Sequence, residues 1–259
     1  MIQPTFGDHI TVAAHGHVAV VTLDRPPHNH VTTGFMRELA DAFEAIDAET
    51  ALRAIVLQTD GKNFCAGADL VSDEKAGGLG PVSTLYDEAV RLFSAGKPIV
   101  AAVQGAAVGA GLGMAVMADF RVASPDARFA ANFVKLGFHP GFGLTHTLPR
   151  LIGHTRAELM CLTGRRIKAE DGLAWGLVDE VVPLEDLRPA ALRLAVEIAE
   201  NAPLSIIATR RTMRGDLAAA VRAQTNIEAR EQGLLRVTED YQEGVRAVGE
   251  RRAGNFQGR

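Results

Sequence analysis

Only two cysteines, Cys65 and Cys161, occur in the 259 residues. They are too few for a disulfide framework, and no basic stretch leading into an apolar core opens the chain. Both absences point to a reducing, cytoplasmic setting. Aromatics are scarce as well, at 5% with one Trp and two Tyr, and neither sign of charge dominates: 27 Lys and Arg stand against 31 Asp and Glu, a formal net charge of −4. A nucleic-acid surface combines a basic patch with interleaved aromatics, so this composition argues against one. No uncharged run approaches the roughly 18–20 apolar residues of a membrane helix. No fixed-period repeat, low-complexity segment or His/Cys/Asp/Glu cluster at ligand spacing is present, and no metal is expected. The charge is uneven, however: residues 201–259 hold ten Arg against seven Asp and Glu. Two readings stay open, a solvated helical face and arginines that meet a phosphate-bearing ligand or a neighbouring subunit.

What the chain has is apolar residues, 47% of the total. At this length it can bury roughly 70–75% of its unfolded surface, enough for one large domain or a core with an appendage. His9 to Ala13 and Val18 to Leu23 read as strands about the turn His15-Gly16-His17. Phe35, Met36, Leu39, Ala42, Phe43 and Ile46 recur at helical spacing, and Arg53 to Gln58 is a buried strand. The unit then repeats: a helix over Val82 to Phe93, the strand Ile99 to Val103, a small-residue turn from Gly105 to Gly113, a short helix to Ala118, and two strands joined at Ser124-Pro125-Asp126. Beyond residue 142 the pattern predicts helices only, Leu204 to Gln224 among them. The fold class is α/β with a helical tail.

Two stretches carry the chemistry, Asn63 to Leu70 and Gln104 to Gly113. Each follows a buried strand and leads into a helix, and each is built of small residues that leave backbone N–H groups unencumbered, at Ala68 and at Ala110. Such a pair suits a developing oxyanion. A dinucleotide site is the obvious competitor. Gly109-Ala110-Gly111-Leu112-Gly113 opens like G-x-G-x-x-G but has Met114 at the third glycine's place, and no phosphate-loop lysine motif occurs.

Arg25-Pro26-Pro27-His28-Asn29, Lys62 to Leu70, Val103 to Asp119, Leu136-Gly137-Phe138-His139-Pro140-Gly141 and Leu162-Thr163-Gly164-Arg165 with Ala174 to Val178 together resemble the enoyl-CoA hydratase/isomerase, or crotonase, superfamily. The resemblance runs in matching order from about residue 9 to 255. It implies a spiral of ββα units with an acyl-CoA site over residues 1–185, a helical C-terminal region over 186–259, and a homotrimer or dimer of trimers. It makes the N–H groups of Ala68 and Ala110 the oxyanion donors. Pro27, His28 and His30, with Ala66, Gly67, Asp69 and Leu70, would wrap the pantetheine and adenine, while Gly109, Phe133, Phe138, Pro140 and Gly141 would line the acyl site. Coenzyme A would enter as part of the substrate, with no separate cofactor.

The match fails where hydratases carry two glutamates. The corresponding positions are Gly113 and Phe133, neither of which moves a proton, so the usual two-carboxylate hydration is not the expected reaction. The carboxylate that some isomerases place at the position of Gly141 is missing too. His139, in the acyl-facing segment, is the expected acid–base group, against a purely structural histidine; His28 and His30 come next. Phenylalanines where relatives have carboxylates suit an aromatic or branched acyl group. Cys65 reads as a small packed residue, Asp69 as a helix cap and Asp119 as structural. The leading expectation is a lyase or isomerase acting on acyl-CoA through a thioester enolate or oxyanion. A crotonase-fold hydrolase of a ring ketone, β-diketone or thioester, and a catalytically silent acyl-CoA binder, are the alternatives.

Overall fold

The structure, a computed structural model, describes residues 2–68 and 82–259. Among the described residues ten strands form two sheets. The larger orders β1 (Thr5–Phe6), β2 (Ile10–His15), β3 (Val18–Leu23), β4 (Ala54–Thr59), β5 (Ile99–Val103), β7 (Phe120–Ala123) and β10 (Glu180–Val181) side by side. The first three run antiparallel, and from β3 onward every pairing is parallel. The smaller sheet joins β6 (Ala106–Val108), β8 (Arg128–Ala130) and β9 (Ile167–Lys168).

The α-helices among the described residues are α1 (Thr33–Ala48), α2 (Val82–Phe93), α3 (Ala110–Met117), α4 (Leu144–Ile152), α5 (His154–Thr163), α6 (Ala169–Trp175), α7 (Leu187–Ala199), α8 (Pro203–Arg214), α9 (Leu217–Leu235) and α10 (Glu239–Gly249). No described helix is long and apolar enough to cross a membrane.

The central strands are apolar at successive positions because both faces of the sheet are covered. Val18, Val56, Val100 and Ala102 pack against Ala190, Ala191 and Ala195 of α7. Their neighbours Ala19, Val21, Ile55, Leu57 and Ala101 belong to the main core with α1 and α2. Helix α1 buries the set expected from its spacing, Phe35, Met36, Leu39, Ala42, Phe43 and Ile46. The Thr32 hydroxyl caps it by accepting from the Phe35 N–H at 3.3 Å.

Three expectations are corrected. The region after residue 142 is not helical throughout, since β9 and β10 complete the two sheets. Leu204 to Gln224 is not one helix: α8 ends at Gly215, whose φ of 57° is a left-handed turn open to glycine, and α9 starts two residues later. Within the small-residue turn, Ala106–Val108 pairs as a strand with β8.

Candidate active site

The segment Phe64–Ala68 lies between two others, and backbone bonds hold it on both sides. Towards β6, the Phe64 N–H donates to Gln104 O at 2.7 Å, the Cys65 N–H to Ala106 O at 2.8 Å, and the Val108 N–H to Cys65 O at 3.0 Å. Towards the 28–31 segment, the Ala66 N–H donates to His28 O at 3.1 Å and the Val31 N–H to Gly67 O at 3.0 Å. Asn29, buried at the centre, donates from Nδ2 to Asp60 O at 2.8 Å and Asn63 O at 2.9 Å, and accepts from the Arg25 N–H at 2.8 Å.

This pairing aims the Ala68 N–H. Gly67 C=O and Ala68 N–H belong to one trans peptide unit and point in opposite directions. Because the carbonyl faces Val31, the N–H faces away from it. Ala110 gains its free N–H differently: it is the first residue of α3, where an N–H has no intrahelical partner. Gly109, at φ 56° and ψ −118°, makes the turn into that helix, and a Cβ on Gly111 would overlap the Cys65 carbonyl. Neither N–H donates to a backbone group of any described residue.

Ala68 and Ala110 line one cavity of about 250 Å³. Its walls are mostly apolar, with Leu85, Phe133, Leu136, Phe138 and Phe142, and α10 contributes Val245 and Val248. The polar side chains are His30, Tyr86, Asn132 and Gln232, and no described lining residue is Asp or Glu. A Cβ on Gly113 would overlap the Phe142 ring, and one on Gly141 would overlap the Tyr86 hydroxyl. Of the three positions where relatives carry a carboxylate, Gly113 and Gly141 thus have their side-chain space filled by rings, and the third is Phe133. The Tyr86 hydroxyl donates to Gln232 Oε1 at 2.7 Å, and Gln232 Nε2 donates to the His139 carbonyl at 2.7 Å. Burial, followed by the nearby Glu228 carboxylate, pushes the Tyr86 hydroxyl far up, so it stays protonated. Burial likewise pushes the Cys65 thiol up to about 12.

Of the residues singled out in the sequence, His30, Ala66, Gly67, Ala68, Gly109, Ala110, Phe133, Phe138 and Gly141 line this cavity. Pro27, His28, His139 and Pro140 are not among its lining residues. His139 directs Nδ1 to Pro140 O at 2.7 Å, and His28 accepts at Nδ1 from Asn63 Nδ2 at 3.0 Å. Asp69 and Leu70 lie outside the described residues. Tyr86 and Gln232 were not foreseen. The available signals were weak: one of only two tyrosines, on an apolar helix face, and a glutamine in the buried register of α9. Among the described residues no cluster of three or more His, Cys, Asp or Glu is placed to hold a metal ion.

The model of the enoyl-CoA hydratase/isomerase family matches residues 13–259. A probable enoyl-CoA hydratase of Rhodobacter capsulatus is 37% identical over 247 residues, covering 93% of this chain and 95% of that protein. The (E)-benzylidenesuccinyl-CoA hydratase of Thauera aromatica is 36% identical, over 96% of this chain and 99% of its own. Among solved structures, a carnitinyl-CoA hydratase from Mycobacterium avium superposes with a TM-score of 0.87 at 32% identity, covering 97% of this chain and 99% of that one. The chain belongs to the enoyl-CoA hydratase/isomerase family of acyl-CoA enzymes, and its mixed α/β architecture with a C-terminal helical region is the crotonase fold.

Proposed function

We propose that the protein binds an acyl-CoA thioester with its carbonyl oxygen between the N–H groups of Ala68 and Ala110, and stabilises the enolate or oxyanion that forms there. The observation that carries this reading is a pair of N–H groups on residues lining one cavity, neither of which donates to a backbone group of a described residue: the Gly67–Val31 bond turns one away from Val31, and the other is at the start of α3. Preorganised donors of this kind act on charge that develops in the transition state and need no reorganisation when it appears. They serve any reaction that places charge on the thioester oxygen.

The walls narrow the choice. Two-carboxylate hydration has no carboxylate among the described lining residues: Phe142 occupies the space over Gly113, and the second position is Phe133. An isomerase or lyase reaction through the enolate of an aromatic or branched acyl group is the reading that fits. His139 would act there only by turning its ring into the cavity, whereas His30 already lines it.

A panel of CoA thioesters with linear, branched and aromatic acyl groups tests this. Mass spectrometry detects loss of the acyl group or gain of water, and chromatography detects isomers of unchanged mass. The expected result is binding of the panel and conversion of a branched or aromatic member without net gain of water. Turnover of a CoA-free β-diketone with no thioester bound would overturn it in favour of a hydrolase. Tight binding with no conversion of any member would favour a silent binder.

A further inference from the structure

The Gly67 carbonyl, at the opposite end of the peptide unit that presents the Ala68 N–H, receives a second hydrogen bond from a side chain. His30 Nδ1 lies 3.1 Å from Gly67 O, beside the 3.0 Å bond from the Val31 N–H. A carbonyl oxygen only accepts, so this contact fixes the tautomer: the proton is on Nδ1. The His30 backbone is itself held, since Arg25 Nη1 donates to the His30 carbonyl at 2.5 Å and Asn29 ties the neighbouring residue to Asp60 and Asn63. His28, two residues earlier, makes no such contact; its Nδ1 accepts from Asn63 instead.

Hydrogen bonds in a chain polarise one another, by about 10–30% per bond in condensed-phase estimates. Donors on a carbonyl draw electron density towards its oxygen and leave the N–H of the same amide more positive. The His30 and Val31 donors on Gly67 O, beside a long contact from the Cys65 thiol at 4.0 Å, therefore make the Ala68 N–H a stronger donor to whatever oxygen faces it. They also lock the peptide plane against the rotation that would swing that N–H out of the cavity.

We infer that His30 is a positioning residue for the oxyanion site, acting through the Gly67–Ala68 peptide to orient and polarise the Ala68 N–H. This rests on the acyl-CoA reading above and adds to it the residue that tunes one of the two donors. It requires only Nδ1–H, so a side chain with a donor at that place should substitute. Asparagine has one: its Nδ2, like imidazole Nδ1, is one bond beyond Cγ. Leucine has none.

The test uses trans-cinnamoyl-CoA, a conjugated thioester whose absorbance moves to longer wavelength as its carbonyl is polarised. The parent, His30→Leu and His30→Asn are each titrated to saturation, with Kd and thermal midpoint measured alongside. The inference predicts a red shift in the parent, a clearly smaller one in His30→Leu, and recovery of most of it in His30→Asn, with all three binding comparably. Turnover of the thioester that the parent converts should follow the same order. His30→Leu should lose about tenfold, short of the roughly 10²–10³-fold that removal of a donor outright costs. An undiminished shift in His30→Leu would overturn the inference, as would a shift lost equally in His30→Asn, since the ring rather than its Nδ1 donor would then matter. Failure of the parent itself to bind any acyl-CoA would instead overturn the underlying acyl-CoA reading, and this inference with it.

Discussion

Ala110 is the first residue of α3, and that position makes its N–H separable from the fold. Proline is tolerated at the first helical residue, where the N–H has no intrahelical bond to lose. Ala110→Pro should therefore fold with a thermal midpoint close to the parent's and lose about 10²–10³-fold in turnover, the cost of one oxyanion donor. Circular dichroism melts with steady-state rates check both halves; retention of full rate would remove Ala110 from the mechanism. A second residue-scale outcome concerns the thiols. With Cys65 fully buried and pushed up to about 12 by that burial, only about one thiol in 10⁴ is ionised at pH 8. Cys161 is half-buried and pushed up to about 11 by burial and Glu228. Iodoacetamide at pH 8 should modify Cys161 slowly and Cys65 only after denaturation, as peptide mapping would show; rapid labelling of folded Cys65 would contradict the packed-residue reading. At this scale the place of Ala68 and Ala110 on one cavity was legible, because small residues around a strand end leave few uses for the backbone there. Tyr86 and Gln232 were not, because their contact joins residues 146 positions apart and no local pattern marks it.

No apolar residue of helix α8 is buried, yet the helix is fastened to the body of the protein. Asp119 does the fastening. Its carboxylate accepts from Arg210 Nε at 2.9 and 3.0 Å, from Arg214 Nη1 at 3.1 Å and from the Ile99 N–H at 2.8 Å. The three side chains are at most 16% exposed, so each charge depends on the others. Removing one partner of such a buried set leaves an uncompensated charge and costs about 3–5 kcal/mol. Asp119→Ala should lose about that much in urea denaturation, and a loss under about 1 kcal/mol would show that α8 is held by something else. The arginine excess after residue 200 is accounted for here in part by two internal ion pairs rather than a bare solvated face. Elements with strong periodicity, such as α1 and β3, were legible from their own residues. The break at Gly215 was not, because the apolar spacing continues on either side of it. The two-residue strands β9 and β10 were not either, because what makes them strands is a partner strand elsewhere in the chain.

On the scale of the molecule, α5 and the C-terminal helical region leave apolar side chains in solvent. Leu204, Met213, Val237 and Leu162 are 74–82% exposed, and Leu234 is 64% exposed. Large apolar residues left this exposed suit surfaces that another chain covers, and closed symmetry is the usual solution. We propose a homotrimer or a dimer of trimers, and light scattering at micromolar concentration should give the mass of three or six chains; a single-chain mass would contradict it. Family, α/β class and the location of the two small-residue segments could be read along the chain, since each depends on contiguous residues. The cavity's far wall could not, because it is assembled from α2, α9 and α10, which the fold alone brings beside Phe133 and Phe142. The most direct test of the central claim is a crystal structure of the protein with a bound non-reactive acyl-CoA. The thioester oxygen should lie 2.7–3.1 Å from both the Ala68 and Ala110 nitrogens, within the roughly 250 Å³ cavity. An acyl-CoA bound with that oxygen facing any other group would contradict the account.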